Sequence, residues 1–259
     1  MNVNINAKQI SDFARPYVQT LSARLPHQAR NFGVNLIGEE CYATLLEDVD
    51  FAVGRCTKLA ISKALGLGIV GAGSIVKLPQ IFKLIGSKSS RGVSFFSYLL
   101  ETIAYGIGLA YNARQGFAFS TYGETALIAI QNMIVLILLL HYAGRQPAAA
   151  ALVAVIAGLG WTLFARTDIV TKDVLSLLQT LTVPISLLAK VPQIRQIARS
   201  KTTGQLSAFS VFTYLFGSIA RVFTTLQETN DPILLAGFAG AAVLNGILAL
   251  QMLRYWRSK

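Results

Sequence analysis

From residue 59 onward, long apolar runs alternate with short clusters of Gly, Ser, Thr and charged residues. Seven runs approach the roughly 20 residues that a helix needs to cross about 30 Å of hydrocarbon. They lie near 59–84, 93–112, 121–142, 148–165, 173–195, 207–226 and 232–255. The connections between them leave no room for a second folded domain after residue 58. The pattern predicts an all-α, multi-pass membrane protein with seven transmembrane helices. Residues 1–58 lack such a run, and Ile10, Phe13, Tyr17, Leu21 and Leu25 recur there at helical spacing among Arg15 and Arg24. One face of that tail could rest on a membrane surface, although Pro16 interrupts the pattern. The low acid content of residues 1–38 also permits a transit-peptide reading.

Composition agrees: 53% of the 259 residues are hydrophobic and only 14% charged. The net charge of +11 changes the picture only through its placement. If the tail lies on side A, side B receives Lys83, Lys88, Arg91, Arg145, Arg195, Arg199, Lys201, Arg254, Arg257 and Lys259, with no acid among them. Side A holds nearly every Asp and Glu, including Glu124, Asp168, Glu228 and Asp231. Because Lys and Arg near helix ends stay in the cytosol, side B is expected to be cytosolic and the N-terminal tail lumenal or extracellular. The basic excess is then topological and gives little support to nucleic-acid binding.

An internal repeat organises the helices. A shift of 113 residues lays Lys77, Pro79, Gln80 and Ile81 on Lys190, Pro192, Gln193 and Ile194. The same shift pairs Ser87 and Lys88 with Ser200 and Lys201, and Ser94, Phe96 and Ser97 with Ser207, Phe209 and Ser210. It also pairs Asn132 with Asn245 and Tyr142 with Tyr255. The expected organisation is a tail at 1–58, three-helix repeats at 59–142 and 173–255, a linker-helix region at 143–172 and a short cytosolic end at 256–259. Each repeat has an odd number of helices, so the linker helix restores the same orientation and makes the repeats parallel.

Pro79 and Pro192 are expected to interrupt their helices, each freeing a carbonyl about four residues earlier. Bilayers tolerate such breaks where protein or a wet cavity satisfies the backbone. Paired broken helices point to a central substrate path with the PQ residues as hinges; static packing kinks are the alternative. Asn132 and Asn245 fall near the middles of their helices, where a lone amide is costly. They could converge on a ligand and bind sugar hydroxyls, with Gln131 as a further candidate, or form interhelical hydrogen bonds. Glu101 and Arg221 are intramembrane charges that either pair together or face the cavity. No metal site is expected from His27 and His141, which lack ligand neighbours, and no cofactor is implied. "GLGIVGAG" (66–73) lies within an apolar helix, so close helix packing explains it better than nucleotide binding. Cys41 and Cys56 share the tail, where an oxidising lumen would allow a disulfide, but spacing alone establishes no pairing. No nucleophile stands with a base at recognisable spacing, which argues against an enzyme.

The duplicated "KLPQI" and "KVPQI" in a three-plus-one-plus-three helix plan resemble the PQ-loop repeat family, whose architecture is shared with the SWEET sugar transporters. "CY" at 41–42, Cys56, "SKALGLGIV", "FAFSTYGE", "HY", "TGQLSA" and "GSIARVFTTLQETNDP" further resemble the mannose-phosphate-dolichol utilisation defect subfamily over residues 41–256. That resemblance implies an endoplasmic reticulum membrane protein needed for lumenal use of mannose- and glucose-phosphate-dolichol. Those donors feed N-glycan precursor, GPI-anchor and protein mannosylation pathways. Its implied ligand is the dolichyl-phosphate sugar, and lumenal glycosyltransferases are its implied partners. Asn132, Asn245 and Gln131 would then contact the sugar and Lys77 and Lys190 the phosphate, unless both lysines only snorkel to the cytosolic surface. A SWEET-like or amino-acid small-solute transporter, or a non-transporting chaperone or receptor, is the alternative.

Overall fold

A computed structural model describes residues 3–90, 93–202 and 208–255. Arg91, Ser207, Arg257, Lys259 and the expected cytosolic end lie outside the described residues, as do the side chains of Phe209 and Ser210. The chain divides into two compact units, residues 1–66 and 67–259.

In the first unit, α1 (Val3–Ala23) is followed by α2 (His27–Ile37), the short α3 (Glu39–Tyr42) and a π-helical turn (Ala43–Glu47). Pro16, which interrupts the apolar spacing, lies inside α1 without breaking it. A proline removes one backbone donor, whereas ending the helix there would forfeit every later hydrogen bond. Ile10, Phe13, Tyr17 and Leu21 remain exposed along it. Cys41 and Cys56 are joined by a disulfide inside a small core with Leu45, flanked by Ile37, Phe51 and Leu59. Gly33 lets this core close, since a Cβ there would meet the Tyr42 ring at 2.6 Å. The bridge closes a loop of 15 residues, a length for which chain entropy gives about 3 kcal/mol. The Cys41→Ser, Cys56→Ser double variant is therefore expected to be cut faster within residues 24–53 during limited proteolysis. An unchanged cleavage rate would contradict that contribution.

α4 (Gly54–Gly73) and α5 (Leu78–Ser87) come from one apolar run, as do α9 (Lys172–Leu188) and α10 (Val191–Ser200). Between these pairs lie α6 (Phe95–Arg114), α7 (Phe119–Tyr142) and α8 (Gln146–Ala165), and α11 (Ala208–Glu228) and α12 (Pro232–Arg254) complete the order. Among the described residues, five stretches are long and apolar enough to cross a membrane: Gly54–Ser87, Phe119–Tyr142, Gln146–Ala165, Lys172–Ser200 and Pro232–Arg254. The other two expected spans form α6 and α11, with 20 and 21 residues. Glu101, Asn112 and Arg114 dilute the hydropathy of α6, as Arg221 and Glu228 dilute that of α11. The chain is thus an all-helical, multi-pass membrane protein. In the exposed turn after α8, Arg166 bonds Asp168 at 2.9 and 2.7 Å and holds its carboxyl below the usual carboxylate range.

The prolines act differently from the expected interior kink. Pro79 and Pro192 each stand second in a new helix, after turns at 74–77 and 189–190. At that position the missing amide would have had no helical partner, so proline starts α5 and α10 at little cost. Both helices have 10 residues and end in a left-handed lysine, Lys88 at φ 47° and Lys201 at φ 53°.

Packing repeats as well. Ile81, Leu84, Val135 and Leu139 form a buried cluster between α5 and α7. The 113-residue shift carries them onto Ile194, Ile197, Leu248 and Met252, which pack together between α10 and α12. A third cluster joins the two halves: Ala110 and Tyr111 meet Val170, Leu175 and Leu234.

Candidate functional site

Each repeat builds a polar clasp where its first helix is broken. In the first, Lys77 precedes α5 and its ammonium donates to Glu101 of α6 at 2.9 and 3.1 Å. Asn132 Nδ2 and the Tyr105 hydroxyl also donate to that carboxylate, at 3.0 and 2.8 Å. Gln131 repairs the break itself: its Oε1 accepts from the Lys77 amide at 2.9 Å and its Nε2 donates to the Gly73 carbonyl at 2.8 Å. Away from water, such helix-end groups need this kind of partner.

In the second repeat Lys190 precedes α10 and donates to Asn245 Oδ1. Asn245 Nδ2 donates to the Tyr214 carbonyl at 3.0 Å and to the Ser218 hydroxyl at 3.1 Å. The Lys190 ammonium lies 5.5 Å from the centre of the Tyr214 ring. Position 244, the counterpart of Gln131, is leucine. The shorter break closes instead through the Lys190 amide and the Leu187 carbonyl at 3.1 Å.

These positions separate the expected site residues. Asn132 and Gln131 are buried within the first repeat and Asn245 within the second, so the two asparagines do not converge on one ligand. The PQ glutamines Gln80 and Gln193 are half-buried on the first turns of α5 and α10. Glu101 and Arg221 do not pair together. Glu101 takes Lys77, while Arg221 donates through Nε to Glu124 of α7 at 2.9 Å and through a terminal nitrogen to the Ser120 carbonyl at 3.2 Å.

A cavity of about 290 Å³ lies elsewhere, between α6, α7, α9 and α12. Tyr105, Asn112, Thr121, Tyr122, Gln179 and Ser186 supply polar groups, with Phe238 among the apolar ones. No charged side chain lines it. Among the described residues, Asn112 Oδ1, Thr121 Oγ1 and Gln179 Oε1 are buried in its lining without a protein donor. Two amide oxygens and a hydroxyl without partners, all in residues of one lining, suit a polar ligand able both to donate and to accept hydrogen bonds. A larger recess of about 610 Å³ is lined by residues of α10 alone, including Arg195 and Arg199, and forms an open groove on its exposed face.

The two ends of the cavity differ. Toward side A, hydrogen bonds tie the repeats together beyond the lining: Tyr111 donates to Asp231 at 2.7 Å, Ser120 to Glu228 at 2.9 Å and Arg221 to Glu124. Toward side B, Glu101 lies one turn beyond Tyr105, and Lys190 and Asn245 lie one turn beyond Ser186 and Ala241. Both clasps therefore border that end. Tyr105 links the first directly to the cavity, because it lines the wall and bonds Glu101.

Residues 61–121 and 174–234 each match the PQ loop repeat. The chain therefore carries two PQ loop repeats. The two PQ-loop segments begin at 61 and 174, the same 113-residue offset that relates the clasps and bundle cores. Solute carrier family 66 member 3 of Homo sapiens is 29% identical over 186 residues, covering 72% of this chain and 90% of that protein. No solved structure matches the chain significantly. Glu124, Tyr105 and Gln179 were not singled out as site residues from the sequence. Their distinguishing signal is positional: each is polar and faces another helix, a property that depends on how the helices rotate and pack.

Proposed function

We propose that this PQ-loop protein moves or presents the hexosyl headgroup of a dolichyl-phosphate sugar in the endoplasmic reticulum membrane, with its N-terminal tail lumenal. The observation that carries the reading is the cavity between α6, α7, α9 and α12, which is lined by uncharged residues and whose polar lining residues Asn112, Thr121 and Gln179 suit sugar hydroxyls. Its aromatic and apolar lining, with Tyr105, Tyr122 and Phe238, suits the faces of a sugar ring. The lipid-linked source and the compartment rest on the subfamily resemblance over residues 41–256, and lumenal glycosyltransferases would consume the headgroup. A second reading, carriage of a free small solute, is favoured by the likeness to a protein named as a solute carrier.

Purified protein in liposomes, given free mannose and a short-chain mannose-phosphate-prenol in separate assays, distinguishes the two. The lipid-linked reading expects transbilayer movement of the prenol, with free mannose binding the same cavity without crossing. Gln179→Leu is expected to slow that movement about tenfold, the consequence of losing roughly one well-placed hydrogen bond. Crossing by free mannose alone selects the second reading. A Gln179→Leu rate equal to wild type, or no movement above protein-free liposomes, would remove the cavity as the path.

A further inference from the structure

The two repeats carry the same lysine, but only one has a counter-ion. Lys77 is neutralised by Glu101 at 2.9 Å. Arg221 is likewise matched by Glu124 at 2.8 Å. The 113-residue shift places Tyr214 where the first repeat has Glu101, and Ser218 where it has Tyr105. Lys190 consequently meets an amide oxygen and the face of a ring, both uncharged. Among the described residues no carboxylate approaches it within ion-pair distance. A half-buried ammonium at this depth is stabilised in part by the ring but still carries a whole unmatched charge.

We infer that Lys190 is the anion-binding residue of this protein and takes a phosphoryl group at the side-B end of the cavity, whereas Lys77 does not. This rests on the reading of the cavity as a headgroup site and deepens it by assigning the charged part of the ligand to one repeat. An ammonium has three donors. Asn245 takes one, leaving two for phosphate oxygens. Lys190 lies one turn beyond Ser186 of the cavity wall, the direction a phosphate joined to a bound sugar would extend. Lys190 is itself only half-buried, which leaves the ammonium approachable. The ligand class is a phosphate ester, found both in polyprenyl-phosphate sugars and in free sugar phosphates.

The experiment measures binding to the full chain in nanodiscs with four probes: citronellyl phosphate, mannosyl-phosphoryl-citronellol, mannose 1-phosphate and mannose. The proteins are wild type, Lys190→Gln, Tyr214→Glu and Tyr214→Phe. Lys190→Gln is expected to weaken the phosphorylated probes about tenfold or more, the usual range for a hydrogen bond to a charged group, and to leave mannose unchanged. Tyr214→Glu should do the same with Lys190 intact, because it recreates the neutralised clasp of the first repeat. Tyr214→Phe should bind like wild type. Preference for the citronellyl probes marks the lipid source, and equal binding of mannose 1-phosphate marks the free one. Should Lys190→Gln fail to fold, Tyr214→Glu decides alone, since its side chain replaces an exposed one. Wild-type affinity for phosphorylated probes in Lys190→Gln or in Tyr214→Glu, or no binding of them to wild type, overturns the inference. Citronellyl phosphate bound through Lys190 while mannose binds nowhere would sink the sugar-cavity reading and leave the inference standing.

Discussion

Arg221→Ala is expected to lower the thermal unfolding midpoint of the detergent-solubilised protein more than other single truncations at the site. The Arg221 side chain is 5% exposed and its partner Glu124 22% exposed, with 2.8 Å between them. Removing one member of such a pair leaves the other charge without compensation, a change worth about 3–5 kcal/mol. The pair joins α7 to α11, so it also links the two repeats. Replacing both members with apolar groups, as in Arg221→Met with Glu124→Leu, removes the stranded charge and should recover most of the loss. Intrinsic-fluorescence melting of the wild type, single and double variants tests this. A single variant that melts with the wild type, or a double variant no better than the single, would contradict the account.

A second large effect is expected in "GLGIVGAG". A Cβ at Gly73 would stand 2.8 Å from Glu124 Cβ, 3.0 Å from its Cα and 3.3 Å from its carbonyl oxygen. Two of these atoms belong to the backbone of α7, which cannot move aside like a flexible side-chain end. Gly73→Val must push α4 away from α7, and overpacking of this kind costs about 1–3 kcal/mol or more. It would also disturb Glu124 beneath Arg221 and the Gly73 carbonyl held by Gln131. Gly71, two residues away, meets nothing within 4 Å. Gly71→Val should therefore fold and melt like the wild type. Equal melting of the two variants would show that the close approach at Gly73 is not what requires glycine there.

Much of this architecture is legible along the chain because the requirement it meets is local. A membrane span needs a long apolar run, and the runs predicted near 121–142, 148–165 and 232–255 correspond to α7, α8 and α12 with small shifts at their ends. The duplication is legible for a related reason: Lys77 and Lys190 begin equivalent short helices, and the same residue types recur at the same offset. The break itself is signalled by proline, though the chain alone does not reveal that the proline starts a new helix instead of bending an old one. In the first repeat the gap is closed from outside, by Gln131 of α7 accepting from the Lys77 amide and donating to the Gly73 carbonyl, whereas in the second the shorter gap closes through its own backbone.

The sequence by itself determined the membrane class, the repeat and the positions of the few buried polar groups, because apolar periodicity and residue identity are written in order along one chain. Even the unmatched lysine leaves a trace there, as tyrosine at 214 where the other repeat has glutamate at 101. Only the tertiary structure decided which partner each group takes. It set Asn132 and Asn245 inside separate bundles, gave Arg221 to Glu124, and gathered Asn112, Thr121 and Gln179 around one cavity. These pairings are set by helix rotation and by contacts between residues up to 120 positions apart, such as Tyr111 with Asp231. No local pattern encodes them.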